Sequence, residues 1–242
     1  MKSPIEARTF YYALVCYFVQ VLSKVVSKKI IPKFDTLTVK QQEVWFNKTV
    51  STFHAVVMFS RAFHYWTSIN VEYQLYEEVS LYEAITIDIM MGYLIYDTIY
   101  ELAMNPKLDI PTLFHHVIGF VSHYLTRSLD NGNASFYSMM VYLAELSTPF
   151  LNISWLLNSL KLQSSLPLTI CSIVLVITFF ISRVIWGPFL FWHMWNNWTS
   201  EPRYLFHINV FIVGFFVVLN FYWFYQLIRV VFGLKKDKKK AN

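Results

Sequence analysis

The chain has 242 residues, is 56% hydrophobic and 19% aromatic, and has only 14% charged residues, with a formal net charge of +5. Soluble domains carry about 25% charged residues, so this composition excludes a soluble globular protein and indicates a multi-pass membrane protein. The two cysteines, Cys16 and Cys171, both fall in apolar segments and indicate neither a disulfide framework nor a zinc site. The positive charge comes largely from one basic connection and a basic tail, which points to topology and lipid headgroups rather than to nucleic acid.

Seven apolar segments are expected to cross the bilayer: Phe10–Val26, Phe46–Trp66, Tyr82–Met104, Thr112–Ser128, Ser135–Asn158, Leu168–Trp195 and Tyr204–Phe232. The first follows Arg8 without a small-residue cleavage site and is expected to be retained. Pro149 should bend the fifth span and Pro188, after Gly187, the sixth, leaving backbone groups that need new partners. Loop signals stand at Asn105-Pro106, at Asp130-Asn131-Gly132-Asn133 and at Ser164-Ser165-Leu166-Pro167. The connections are short, so the chain reads as one helical membrane domain: an N-terminal span with its basic connection (1–45), a main bundle (46–232) and a basic tail (233–242).

Lysines order the spans. Lys24, Lys28, Lys29, Lys33, Lys40, Lys48, Lys107, Lys161 and the tail lysines fall on one side, while the opposite side has few cations and carries Glu72, Glu77 and Glu78. The positive-inside rule then places the C-terminus in the cytosol and the N-terminus in the lumen. Sequons at Asn133 and Asn197 fall on the lumenal side; the one at Asn47 falls on the cytosolic side and is expected to stay bare. The tail ends Lys239-Lys240-Ala241-Asn242. This ending resembles a dilysine retrieval signal read by coat-type machinery, which predicts residence in the endoplasmic reticulum.

Polar residues inside the spans point to function, because ionisable groups at membrane depth face a protein interior or a wet cavity. Asp97 lies in the third span and His115 and His116 at the entrance of the fourth, one short turn away. With about 1.5 Å of rise per residue, His54, Asp97 and Asn152 each sit roughly 10 Å from the cytosolic end of their spans. Glu145, Arg61 and Arg183 lie nearer the centre. His116 and His123 share a stripe of the fourth helix, Glu145 and Asn152 a face of the fifth, and His54 and Arg61 a face of the second. Asp88 points nearly opposite to Asp97 and is expected to have another role. The converging set, His54, Arg61, His123, Glu145, Asn152 and Arg183 around His115, His116 and Asp97, is the candidate lipid cavity. Either arginine is a candidate partner of Glu145.

An imidazole beside a carboxylate can act as a general base or nucleophile. Metal chemistry is not expected, because the seven histidines lack the tight HxxxH and HxxHH spacings of membrane diiron enzymes. A seven-span signalling receptor matches in topology, but its cytosolic connections would be short and no coupling-type motif follows the third span.

The ordered set Tyr96-Asp97, Phe114-His115-His116 and Phe180-Ile181-Ser182-Arg183 resembles the TLC-domain family of membrane proteins, to which ceramide synthases belong. The likeness runs from about Thr49 to Phe232. It implies an all-α fold of about seven transmembrane helices, six of them forming a bundle around a central cavity. In members that make ceramide, paired histidines and nearby acids transfer an acyl group from acyl-coenzyme A to a sphingoid amine. That role would fall on His115, His116 and Asp97, with acyl-coenzyme A as a substrate and no resident cofactor. Synthases carry two aspartates three apart in the fifth span; here Glu145 matches the first, Thr148 takes the second position, and Asn152 replaces a later acid. The chain is more similar to the small TLC domain-containing proteins linked to membrane lipid composition. Three functions stay open: lipid homeostasis through binding or modifying a long-chain lipid, acyl transfer of the ceramide synthase type, and a non-enzymatic lipid sensor or cargo receptor. The expected partners are membrane lipids of the sphingoid or acyl class.

Overall fold

The computed structural model describes residues 7–69, 79–104, 109–129, 132–162, 165–197 and 204–232. The retrieval lysines Lys239 and Lys240, the Asn105-Pro106 turn and the acidic residues Glu72, Glu77 and Glu78 lie outside them. Among the described residues all regular structure is helical. The helices are α1 (Ala7–Ile30), α2 (Val39–Ser68), α3 (Leu81–Met104), α4 (Ile110–Leu129), α5 (Gly132–Val141), α6 (Thr148–Ser159), α7 (Leu166–Phe179), α8 (Trp186–Asn196) and α9 (Tyr204–Val231). A 3₁₀ stretch, Tyr142–Ser147, joins α5 to α6, and a π-helical stretch, Phe180–Ile185, joins α7 to α8. The result is seven helical rods matching the seven expected segments. Most begin and end a few residues beyond the apolar runs, because polar helical turns flank those runs. Lys24, Lys28 and Lys29, expected in a connection, therefore lie within α1.

Local chemistry sets the ends. Thr38 and Gln41 form a capping box: the Thr38 hydroxyl accepts the Gln41 amide at 3.3 Å and the Gln41 side chain accepts the Thr38 amide at 2.9 Å. α2 thus begins two turns before Asn47, which becomes a helical residue. Ser165 caps α7, accepting from the Leu168 amide at 3.4 Å. Both prolines act just where a missing N–H requires it. Pro149 cannot reach back to Glu145, and the Glu145 carbonyl accepts from Thr148 instead, a tightened 3₁₀ bond. Ahead of Pro188 the helix loosens, and the Trp186 amide bonds the Ile181 carbonyl five residues back.

Three described helices are long and apolar enough to cross a membrane by composition alone: Ala7–Ile30, Leu166–Asn196 and Phe206–Val231. Of the others, α5 and α6 are too short by themselves, and α3 carries charged and polar groups on its inward face. α3 alone buries Glu83, Thr86, Asp88 and Asp97. α1 shows the same inversion: Thr9, Cys16, Gln20, Ser23 and Ser27 are buried while Phe10, Leu14, Phe18 and Leu22 are exposed. Lipid tails are as apolar as leucine, so a helix in a bilayer gains little by burying leucine and more by close approach and hydrogen bonds. α1 packs along α3 and touches it at Gly92, where a Cβ would stand 2.5 Å from the Thr9 carbonyl oxygen and 2.8 Å from Tyr12 Cβ. Glycine is the side chain that permits this crossing.

Contacts between helix ends show that the first, second, third and fifth rods alternate in direction. Phe34, Leu37, Trp45 and Phe46, from the α1–α2 connection and the start of α2, cluster with Trp155, Leu156 and Leu160 at the end of α6. Lys28, Lys29, Lys33, Lys40 and Lys48 belong to the helix ends and connection at this end of the bundle. At the opposite end Glu83 receives Tyr65 at 2.7 Å and Ser135 at 2.9 Å, joining the end of α2 to the starts of α3 and α5.

Candidate functional site

Asp97 sits on α3 one turn beyond Tyr93, and the short connection to α4 brings His116 against it. His116 Nε2 lies 3.2 Å from Asp97 Oδ2. Two further groups hold the same carboxylate. Asn47 Nδ2 donates to Oδ1 at 2.9 Å and the Tyr93 hydroxyl donates to Oδ2 at 3.2 Å. Asp97 is 8% exposed and His116 6%, so the pair is shielded, and its strength rises accordingly. With Nε2–H given to the carboxylate, the neutral ring carries its lone pair on Nδ1, and Nδ1 is buried without a partner. His115, on the neighbouring face of α4, sets its ring edge-on to Phe216 and Trp223 of α9, with centroids 5.1 and 5.2 Å away.

Asp97, His115 and His116 line a pocket of about 570 Å³, inside the range of about 300–1,000 Å³ typical of small-ligand sites. Lys48 and Thr112 line its basic end, and Met90, Leu94, Val213 and Phe216 line its middle. α2 through α9 contribute to the wall, and α1 contributes no lining residue.

Of the other expected residues, Glu145, Asn152, His123 and Arg183 line the same pocket. Arg183 is fixed by the π-helical stretch, which turns its guanidinium toward the 3₁₀ stretch opposite. Nε donates to Ser147 at 3.0 Å, NH2 to Thr148 at 3.1 Å and NH1 to Asn220 at 3.3 Å, and NH2 stands 3.9 Å from Glu145. Two irregular helical stretches thus meet through one side chain. Asn152 donates to Thr52 at 3.2 Å.

His54 and Arg61 are not among the lining residues. His54 is buried behind the wall, stacked on Tyr93 with centroids 3.8 Å apart, and so supports a side chain that holds Asp97. Arg61, expected as a possible partner of Glu145, is instead anchored to α3. It donates to Thr86 at 2.8 Å and to the Tyr82 carbonyl at 3.1 Å, with its guanidinium 4.0 Å from the Tyr82 ring. Both residues share the expected face of α2, but that face meets α3 rather than open space. Asp88 does have a separate role: it lies 3.1 Å from Arg8 and 3.6 Å from Arg127, tying α1 and α4 to α3.

Sequence reasoning missed Asn47 and Tyr93. Asn47 was legible only as part of a sequon; the capping box at Thr38 was the signal that would have placed it in a helix. Tyr93 stands four residues before Asp97, the helical spacing that lets the two side chains meet. Among the described residues no cluster of His, Cys, Asp and Glu fit to hold a metal is present.

A family model for the TLC domain matches residues 44–229. The chain belongs to the TLC-domain family. It is 28% identical to human TLC domain-containing protein 4, over 96% of this chain and 91% of the human protein. It is 24% identical to TLC domain-containing protein 4 of Xenopus tropicalis, over 90% of this chain and 88% of that protein. Topoisomerase I damage affected protein 4 of Saccharomyces cerevisiae is 27% identical, over 94% of this chain and 82% of the yeast protein. The matched region begins near Trp45 and includes every residue named above as lining the pocket. The TLC-domain protein described here is therefore a small member of the family, with membrane-spanning helices and a mainly apolar pocket in which polar side chains are set.

Proposed function

We propose that this TLC-domain protein is a multi-pass protein of the endoplasmic reticulum membrane that holds a long-chain lipid in the pocket and acts in membrane lipid homeostasis. In this reading all seven rods cross the bilayer, with α2 to α9 ringing the cavity as six of them and α1 packed outside. Residues 46–232 make the bundle, flanked by the N-terminal span and the basic tail. The gathering of lysines at one end supports a cytosolic C-terminus and a lumenal N-terminus. The terminal Lys239-Lys240 pair supports retrieval by coat-type machinery.

The observation that carries the reading is that one cavity joins charged and hydrogen-bonding groups at its basic end (Lys48, Asp97, His115, His116) to apolar walls farther in (Met90, Leu94, Val213, Phe216). A lipid headgroup fits the first set and a chain the second.

The His116–Asp97 contact favours acyl transfer as a second reading. An acceptor amine would attack the thioester carbonyl of acyl-coenzyme A, giving its proton to His116 Nδ1. The C–S bond would then break and the departing thiolate would take that proton, with Asp97 stabilising the imidazolium in between. Nδ1 is buried in the resting site, so this reading needs a substrate that displaces its neighbours. A held lipid that donates to Nδ1 would need the same displacement, whereas one held only by the other polar groups of the pocket would not.

Mass spectrometry of lipids bound to the purified protein separates these readings. A long-chain lipid should co-purify with the wild type, and His115→Ala or His116→Ala should lower its occupancy about five- to tenfold, the value of one net hydrogen bond of about 1 kcal/mol. Release of free coenzyme A on adding acyl-coenzyme A and an amine, lost in His116→Ala, would establish turnover. Protein that is lipid-free as purified and takes up no lipid from vesicles would overturn both.

A further inference from the structure

The pocket carries a second set of polar side chains away from the His116–Asp97 pair. Some way in from the His116–Asp97 pair, three elements bring hydroxyls, an amide and an imidazole to one level of its wall. α4 supplies Ser122, His123 and Thr126, α5 supplies Ser138, and α9 supplies Asn209, with Tyr142 from the 3₁₀ stretch beside them. His123, Thr126, Ser138 and Asn209 are all more than nine-tenths buried. The Ser122 hydroxyl donates to Asn209 Oδ1 at 2.9 Å, Asn209 Nδ2 donates to Thr126 at 3.3 Å, and the Thr126 and Ser138 hydroxyls are 3.4 Å apart. The Tyr142 hydroxyl lies 3.2 Å from His123 Nδ1.

Mutual hydrogen bonding of this kind also serves to join membrane helices. Two features set this group apart. All six side chains line the cavity rather than a closed helix–helix seam. The group also retains capacity: Asn209 has a second amide hydrogen, and His123, with Nδ1 taken by Tyr142, offers Nε2. A plain alkyl chain lying across this level would leave those atoms dry and unpaired, which weakens binding. An oxygen function on the chain would meet them.

We propose that this inner level is a second polar subsite, and that the ligand is a long-chain lipid carrying a hydroxyl or carbonyl oxygen along or at the end of its chain. The proposal rests on the lipid-holding reading and adds a requirement to it. His116 and His123 are seven residues apart on α4, and His116 and Thr126 ten. At about 1.5 Å per residue the two polar levels stand roughly 10–15 Å apart. That spacing sets where on the chain the oxygen must lie. Met90, Leu94, Val213 and Phe216, also in the wall, suit the methylenes between.

Detergent-purified full-length protein can be titrated with straight-chain alcohols from octanol to tetradecanol and with the corresponding α,ω-diols, by displacement of a fluorescent fatty alcohol. Both series present a hydroxyl to the His116–Asp97 end, and only the diols present one to the inner level. At one chain length the diol should bind about fivefold more tightly than its alcohol, the worth of one net hydrogen bond. The preference should vanish in Asn209→Leu and His123→Phe. Should either of those fail to fold, Ser138→Ala, which removes one small hydroxyl, should narrow it. Alcohols that bind as well as or better than diols at every length would overturn the second subsite while leaving the lipid pocket standing. Failure of both series to displace the probe would overturn the pocket reading and the subsite with it.

Discussion

Glu83 and Asp97 lie on one helix, fourteen residues apart, and both are more than nine-tenths buried. Their surroundings differ. Glu83 is saturated: Oε1 accepts from Tyr65 and Ser135, and Oε2 accepts from the Ser80 amide at 2.8 Å and the Ser80 hydroxyl at 2.7 Å. No lining residue of the pocket is among these groups. Asp97 faces the pocket, and its partner His116 keeps a ring nitrogen unpartnered, as does the adjacent His115. A buried carboxylate is therefore not by itself a mark of function. The distinction lies in whether its hydrogen-bonding shell is closed, as glue between helices is, or leaves capacity toward a cavity.

The comparison breaks most readily at Glu83. Glu83→Ala would remove the buried acceptor that the Tyr65 and Ser135 hydroxyls share and the carboxylate that caps the exposed Ser80. Losing that shell should cost about 3–5 kcal/mol. The expected outcome is a fall of many degrees in the melting temperature of the detergent-purified protein, or loss of expression. A variant that melts like the wild type would mean that the closed shell carries little stability.

Asp88 sharpens the contrast, because it is buried, charged and away from the pocket. It lies against Arg8 of α1 and Arg127 at the end of α4. Asp88→Asn removes the negative charge between two cations. Breaking a buried pair commonly costs about 3–5 kcal/mol, and Arg8 is 36% exposed at its side chain, which lowers the effect here to about 2 kcal/mol. The expected sign is earlier melting, with α1 more open to protease, while protein that remains folded keeps its bound lipid. Loss of lipid without loss of stability would place Asp88 with Asp97 instead of with Glu83.

Much of this is legible in the sequence. Apolar run lengths predicted the seven rods; Pro149 and Pro188 were expected to bend two of them, and what stands ahead of them is a 3₁₀ and a π-helical stretch. The His116–Asp97 pairing followed from a short turn between two spans. Helical phase is a weaker guide, because it says which residues share a face and not what that face meets. His54 and Arg61 share theirs, and it abuts Tyr93, Tyr82 and Thr86 of α3. The inner face of α1 does repeat at helical spacing (Thr9, Cys16, Gln20, Ser23, Ser27), but a search for apolar faces passes over it, since small and polar residues mark membrane interfaces by closeness of approach, as Thr9 does at Gly92. Asn47 was hidden by its sequon, a pattern that describes a glycan acceptor equally well whether or not the asparagine is occupied inside a helix bundle.

The smallest effect on stability is expected at Asp97, and it is the most informative. Asp97→Asn keeps the shape of the side chain and allows every hydrogen bond around it to be rebuilt. The new carbonyl oxygen can still accept from Asn47. The new amide can donate to His116 Nε2, provided the imidazole moves its proton to Nδ1, and Tyr93 can become an acceptor of the second amide hydrogen. The stability cost should stay under about 1 kcal/mol. The chemistry of the site is nonetheless inverted. In the wild type the carboxylate takes Nε2–H and leaves Nδ1 as an acceptor; in the variant Nδ1 carries the proton. A ligand hydroxyl or amine that donates to Nδ1 loses its partner, and a base for acyl transfer is lost with it. Lipid capture should fall about tenfold while melting barely moves. Nitrogen-15 NMR of labelled histidine should report the tautomer change at His116 directly. If Asp97→Asn instead melts as early as Glu83→Ala, the Asp97 shell is structural glue like the other, and the capacity left on His115 and His116 is incidental to function.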